Sequence, residues 1–270
     1  MVTSSDIWCG VTAFPLDVQQ TAYSYLERPN VVLTGLLAKH VLNAKPEARV
    51  LDIGCGCGAN AAEVRRMAPH AHLVGIEPSS AAAAIARGQG FDEVHETDAL
   101  SWLHASNAAP FDAVVLSDVL EHIADPVAMM KELARAPALR DAIWVISVPN
   151  YAVWYNRVRT LFGRFRYQWS GLFDRTHLRF FTRKSVHELF AYCGFDVIED
   201  RATPALAQSA APLLRQLFES DVAEGNHLAL ESSKSYQLYS KAVQPLEIKV
   251  CQLWPELLGF QIVSVVRVRP

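Results

Sequence analysis

The sequence predicts an α/β fold, a doubly wound and mostly parallel sheet with helices on both faces, on three observations. From residue 48 short apolar runs alternate with helix-length segments, the pattern of parallel strands joined by covering helices. The first of these runs ends in closely spaced glycines, Gly54, Gly56 and Gly58, where a strand passes into a helix. Of the 270 residues, 51% are hydrophobic and 20% charged, a mix that buries a sizeable core and excludes disordered, collagen-like and coiled-coil chains. There is no internal repeat and no low-complexity linker. The chain therefore reads as a single domain over 1–270, with a helical N-terminal cap over 1–46, an insertion over 151–184 and a helical segment over 208–255.

Taken in order, Pro29 opens a helix to about Leu42 that should pack on the first strand, Arg49 to Ile53. A helix over Ala59–Met67 follows the glycines, then a second strand, His72 to Ile76. Pro78 precedes an alanine-rich helix over 79–87, which Gly88 and Gly90 terminate. A weak third strand lies at Glu93 to Glu96 and a fourth at Phe111 to Leu116. Asp125 and Pro126 open a helix to about Arg135 as cap and first-turn residue. The fifth strand, Ala142 to Val148, closes at Pro149 and Asn150. After the insertion, Thr182 caps a helix over 183–193 that ends at Gly194, and Phe195 to Glu199 and Phe260 to Val268 are the last strands.

Bulk properties narrow the function. A formal charge of −3 gives no global attraction to nucleic acid. No apolar run approaches the ~18 residues of a membrane span, and Met1 to Gln20 lacks the basic-then-apolar pattern of a secretory signal. Cys9, Cys55, Cys57, Cys193 and Cys251 are too scattered for a disulfide framework, and no second pair completes a zinc set around Cys55 and Cys57. These features predict a soluble, cytoplasmic protein.

The glycine loop carries the strongest chemical signal. Glycines at a strand end let a ligand approach the backbone, and the next helix offers free amides. Gly54, Gly56 and Ala59 also fit the dinucleotide fingerprint, so the loop alone leaves a dehydrogenase open. Three acids extend the pattern. Asp52, inside the strand end, would repel a pyrophosphate but pair with a cationic amino-acid group. Glu77 ends the second strand, where a carboxylate can take both hydroxyls of a ribose. Asp98, in Thr97-Asp98-Ala99, can accept from an exocyclic adenine amine. A ligand with an α-amino group, a ribose and an adenine but no phosphate is S-adenosylmethionine.

Val50-Leu51-Asp52-Ile53-Gly54-Cys55-Gly56-Cys57-Gly58, Glu77, Thr97-Asp98-Ala99, Phe111-Asp112-Ala113-Val114-Val115 and Leu120-Glu121-His122 together resemble the class I S-adenosylmethionine-dependent methyltransferases. The resemblance covers about residues 23–200. It implies a Rossmann-like sheet of seven strands, the last antiparallel, which suits 260–268. It also implies that Gly54, Cys55, Gly56 and Gly58 cradle the methionine part and that Glu77 holds the ribose. Asp98 and Ala99 would face the adenine, Ser117 and Asp118 would border the sulfonium, and Arg28 would pair with the cofactor carboxylate. A binding protein without transfer activity is the non-enzyme alternative.

The insertion 151–184 carries eight basic side chains and one acid, Asp174, a net +7 that leaves −10 for the rest of the chain. It also holds ten of the 26 aromatic residues. Following the fifth strand, it should cover the carboxyl edge of the sheet as an acceptor lid. Aromatics at this density also build a small core, but they do not account for the charge. Arginine beside aromatic rings suits phosphate, carboxylate or a nucleotide end. Trp154, Phe162, Arg164, Phe165 and Arg166 also suit peripheral membrane contact. Phe173 to Thr182 resembles a bacterial subgroup acting in quinone, methionine and surface-glycan metabolism, which implies transfer to oxygen of a small-molecule acceptor. An RNA end methylated at its 2′-hydroxyl is the alternative acceptor.

Asp118, Glu121, His122 and His177 form the last candidate group. If the turn after the fourth strand is helical, the first three share a face and can hold a divalent cation that His177 completes. A similar pattern binds a metal in quinone-biosynthesis O-methyltransferases and small-RNA 2′-O-methyltransferases, where Glu stands in place of Asp118. Two other readings stay open. His177 or His122 serves directly as general base, or Asp118 and Glu121 form a capping box.

Overall fold

The computed structural model describes residues 29–167, 171–204 and 244–270. Arg28, the cap before residue 29 and residues 208–243 of the helical segment lie outside the described residues. The element order is α1 (Val31–Leu37, widening into a π-helical turn over Ala38–Leu42), β1 (Arg49–Ile53), α2 (Ala59–Met67), β2 (His72–Ile76), α3 (Ser80–Ala86), β3 (Glu93–His95) and α4 (Ala99–Ala105). Then come β4 (Ala113–Ser117), a 3-10 turn (Leu120–His122), α5 (Pro126–Arg135), β5 (Ile143–Pro149), α6 (Trp154–Leu161) and α7 (Arg183–Tyr192). The chain ends with β6 (Phe195–Pro204), α8 (Gln244–Leu253), α9 (Pro255–Leu258) and β7 (Gly259–Val268).

The sheet has seven strands in the order β3-β2-β1-β4-β5-β7-β6. β7 runs antiparallel to both its neighbours, and the other pairings are parallel, as the sequence implied. Strand residues alternate between two cores because successive side chains leave a strand on opposite faces. On one face Val50, Leu73 and Val115 meet Leu33, Leu36 and Leu37 of α1 and Ala61 and Val64 of α2. On the other, Leu51, Val74 and Val114 meet Trp102 of α4, Met129, Met130 and Leu133 of α5, and Val186 and Phe190 of α7. The winding reverses between β1 and β4, so their carboxyl ends frame the crevice where open α/β sheets take ligands.

Caps fix the helix ends near that crevice. Asn30, rather than Pro29, caps α1 by accepting from the Leu33 amide, and Ser79 caps α3. Asp125 accepts from Ala128 at the start of α5. Thr182 and Ser185 form a reciprocal capping box on α7. Two helices go beyond the sequence reading. α4 is one short run behind the Asp98 cap, and α6 starts at Val153 with no side-chain cap to announce it. β6 is twice its expected length because it pairs with β7 along its whole span.

Candidate active site

The glycine loop follows from its backbone. Gly54, Gly56 and Gly58 all have left-handed φ, of 71, 53 and 87°. A Cβ on Gly54 would stand 2.7 Å from Val119 Cγ2, so the loop also sits directly against the turn that follows β4. The Gly54 and Cys55 amides donate to the Ile76 carbonyl, which anchors the loop to the end of β2. Glu77 closes the loop, since one carboxylate oxygen accepts from the Gly56 amide at 3.0 Å and the other from the Ser79 amide at 2.8 Å. The Cys55 thiol turns inward and burial raises its pKa, leaving only its backbone to line the loop.

Asp52 is buried, and its Oδ1 has no hydrogen-bond partner. Burial first and the nearby Glu77 second push its pKa up to about 8. A cationic group beside it would remove both penalties, which is the chemistry the sequence ascribes to this acid. Asp98 caps α4 by accepting from the Leu100 and Ser101 amides, and these bonds hold its pKa below the usual carboxylate range. Ala99 is the buried first residue of that helix.

The turn after β4 departs from the helical face expected of residues 118, 121 and 122. Asp118 adopts φ 55°, the one left-handed residue besides glycine among those described, and the 3-10 turn begins only at Leu120. The expected capping box is absent, because the Asp118 carboxylate bonds to Gln261 instead. Ser117 lies beside Ser147, whose hydroxyl accepts from the Asp118 amide.

Glu121, His122 and His177 do converge, with one potential ligand atom from each within 4.8 Å of the others. Asp118 stands outside that set. The insertion delivers His177 by clasping the turn, since the Leu178 and Arg179 amides both donate to the Glu121 carbonyl, at 2.7 and 3.0 Å. The two imidazoles meet edge to face at 4.8 Å between centroids. Nδ1 of His122 faces the Thr176 carbonyl and Nδ1 of His177 the Leu172 carbonyl, both at 3.3 Å. A carbonyl only accepts, so each ring carries its proton on Nδ1 and keeps the Nε2 lone pair available. Loss of water around the rings lowers both pKa values below the ordinary histidine value. The Glu121 carboxylate is 1% exposed and neither oxygen has a hydrogen-bond partner. Burial foremost, then Asp118, holds its pKa well above the usual range. An unpartnered buried carboxylate beside two free imidazole lone pairs is a donor set that fits a divalent cation.

The aromatics of the insertion divide between two roles. Tyr151, Tyr155, Phe173 and Phe180 pack with Val153, Leu172 and Phe260 as a small core beside the sheet edge, and Phe181 joins the main core. Trp154, Leu161, Phe162, Phe165 and Tyr167 are exposed, together with Arg164 and Arg166.

Known proteins resolve the choice that the glycine loop left open. A family profile described as a methyltransferase domain matches residues 25–200, well over half of the chain. The chain belongs to that methyltransferase-domain family. The methyltransferase is 34% identical over 96 residues to a ubiquinone biosynthesis O-methyltransferase of Hahella chejuensis (strain KCTC 2396), covering 34% of this chain and 40% of that protein. It is also 34% identical over 89 residues to the enzyme of the same name from Xylella fastidiosa (strain 9a5c), covering 32% and 36%. The matches thus span about two fifths of those relatives. Among solved structures, the plantazolicin methyltransferase BpumL, in complex with a monoazolic desmethylPZN analog and SAH, superposes with a TM-score of 0.54 at 15% identity, over 94% of this chain and 87% of that one. The [4+2]-cyclase SpnF superposes at 0.53 and 19% identity, over 88% and 81%. At such identities the methyltransferase shares their fold alone, and the fold by itself does not name a reaction.

Proposed function

We propose that the chain transfers a methyl group from S-adenosylmethionine to a hydroxyl oxygen of a small molecule, an aromatic or anionic metabolite such as a quinone precursor or a sugar. The observation that carries this reading is the Glu121–His122–His177 cluster held beside the glycine loop at the winding reversal of the sheet. When bound, the cofactor supplies an electrophilic methyl on a positively charged sulfur. Asp52 would hold its amino group, the glycine-loop backbone of residues 54–58 would lie against its methionine part, and Glu77 would take the ribose hydroxyls. Asp98 and Ala99 flank the adenine. The small aromatic core of the insertion excludes water above the cleft, and the clasp on Glu121 aligns the acceptor. The acceptor oxygen would receive that methyl, and this chain's part is to orient the oxygen and take its proton. In the cation-free site Nε2 of His177 or His122 takes the hydroxyl proton, and their lowered pKa values keep the rings unprotonated and so open to it at neutral pH.

The unpartnered Glu121 carboxylate supports a divalent cation held by Glu121, His122 and His177, which would lower the acceptor hydroxyl's pKa. The exposed Trp154, Leu161, Phe162 and Phe165 with Arg164 and Arg166 support a membrane-surface contact that admits a lipid-soluble acceptor. Calorimetry with S-adenosylmethionine, its demethylated product and NAD tests the cofactor. Labelled-methyl transfer to a panel of catechols, hydroxy acids, sugars and a short oligoribonucleotide tests the acceptor. Heat with NAD alone, or no transfer to any hydroxyl, sinks the reading. Full activity in EDTA removes the cation and leaves the histidines as bases.

A further inference from the structure

Asp118 is held by a residue far along the chain. Gln261, in the third position of β7, donates from Nε2 to Asp118 Oδ2. Its own Oε1 accepts from the Thr203 hydroxyl at 3.0 Å and from Asn30 Nδ2 at 3.2 Å. The Asp118 carboxylate only accepts, so Gln261 turns Nε2 toward it and Oε1 toward the Thr203 hydroxyl, whose oxygen accepts in turn from the Gln261 backbone amide. Asn30 in turn accepts no freedom of its own: its amide donates to Asn60 Oδ1 at the start of α2, and its side chain caps α1. The Asp118 amide donates to Ser147. One carboxylate oxygen is thereby pinned, while Oδ1 is out of contact with bulk water and has no hydrogen-bond partner. The backbone at Asp118 holds an unfavourable left-handed φ to keep it there, and the next residue, Val119, packs against Gly54 of the loop.

We infer that Gln261 is a positioning residue that aims Asp118 at the cofactor's sulfur, so that Asp118 favours the positively charged sulfonium over the neutral sulfide product. This rests on the cofactor reading above. A fixed carboxylate beside the sulfur attracts the charged cofactor and releases its grip once the methyl has left, which assists product exchange.

The test is calorimetry at pH 8 with the full chain, comparing the Kd of S-adenosylmethionine with that of its demethylated product. Asp118→Asn is expected to shift the ratio of the two constants toward the product by about tenfold, the scale of one contact to a charged group. Gln261→Met, similar in length but without a donor, is expected to shift the ratio in the same direction, and Gln261→Asn, which retains an amide, by less. Thr203→Val, which removes the hydroxyl bonded to Gln261 Oε1 but leaves the Gln261–Asp118 bond, is expected to shift the ratio in the same direction by less than Gln261→Met. Equal weakening of both ligands in the Asp118 and Gln261 variants would overturn the inference, as would a shift in Thr203→Val with none in Gln261→Met. Should Gln261→Met fail to fold, Gln261→Asn and Asp118→Asn still decide. Wild-type protein that binds neither ligand fails the cofactor reading itself, a result distinct from an unmoved ratio.

Discussion

Asp52 makes the site sensitive to pH in a defined direction. Its folded pKa is about 8 against an ordinary value of 3.8, so between those limits the folded chain keeps a proton that the unfolded chain releases. Stability therefore declines as pH rises through that window. Asp52→Asn removes the slope, and its melting temperature relative to wild type is expected to rise between pH 5 and pH 8. A cationic amino group placed beside Asp52 draws the proton off, so at pH 7 the heat of cofactor binding should vary with the ionisation enthalpy of the buffer. A buffer-independent heat would remove Asp52 from the amino-group contact. Glu77→Ala frees the Gly56 and Ser79 amides and, under the proposed cofactor contact, would deprive the ribose of its acceptor. Affinity for the demethylated cofactor, read by the same calorimetry, is expected to drop by about 1–3 kcal/mol. The placement of Asp52, Glu77 and Asp98 at or just after the carboxyl ends of β1, β2 and β3 was legible because it follows the strand pattern. Gln261 was not, since one amide in an apolar strand has no partner in the linear sequence, although a polar residue within Gly259–Val268 is itself a signal.

At the scale of elements, capping chemistry carried most of the reading. Thr182 was legible as a cap, and the structure adds Ser185 as its reciprocal partner. Thr182→Ala leaves the Ser185 amide unsatisfied at the start of the helix that buries Val186 and Phe190, and should cost about 1 kcal/mol in denaturant unfolding. The helical face that residues 118, 121 and 122 would share does not form, because the conformation at Asp118 is set by Ser147 and Gln261 from two other strands, a tertiary override of a local pattern. α6 was missed for a related reason. Trp154, Val158 and Leu161 are exposed, so the sequence gives the helix no buried stripe to recognise. The same exposure predicts where a protease enters. Trypsin should cut at Arg164 or Arg166 before Arg175 or Arg179, whose neighbours are tied to the Glu121 turn, and cofactor with acceptor should slow that cut. Equal rates with and without ligands would leave the insertion a fixed subdomain rather than a lid.

Across the whole molecule, charge is divided as well as balanced. A net +7 resides in residues 151–184 and −10 elsewhere, so the near-neutral total conceals a dipolar arrangement. Within the insertion, Arg183 pairs with Asp200 and Lys184 with Glu188, and Arg159 lies over the Phe173 ring. Arg164 and Arg166 are exposed beside Phe162 and Phe165 and meet no acid among the described residues. Among the described residues no helix is long and apolar enough to cross a membrane. Under the proposed membrane-surface contact, the cations would draw this face toward anionic headgroups with the flanking rings at the boundary, while the acidic remainder of the chain would be repelled and orient the approach. The protein is expected to sediment with vesicles containing phosphatidylglycerol and to stay in solution with pure phosphatidylcholine. Raising salt from 0.05 to 0.5 M, which shortens the screening length from about 14 Å to about 4 Å, should release most of it. Leu161→Asp with Phe162→Asp should abolish sedimentation at low salt and leave calorimetric binding of the demethylated cofactor intact, because neither side chain belongs to the cofactor site. Sedimentation that persists in this double variant, or that ignores lipid charge, would assign the exposed rings to another partner.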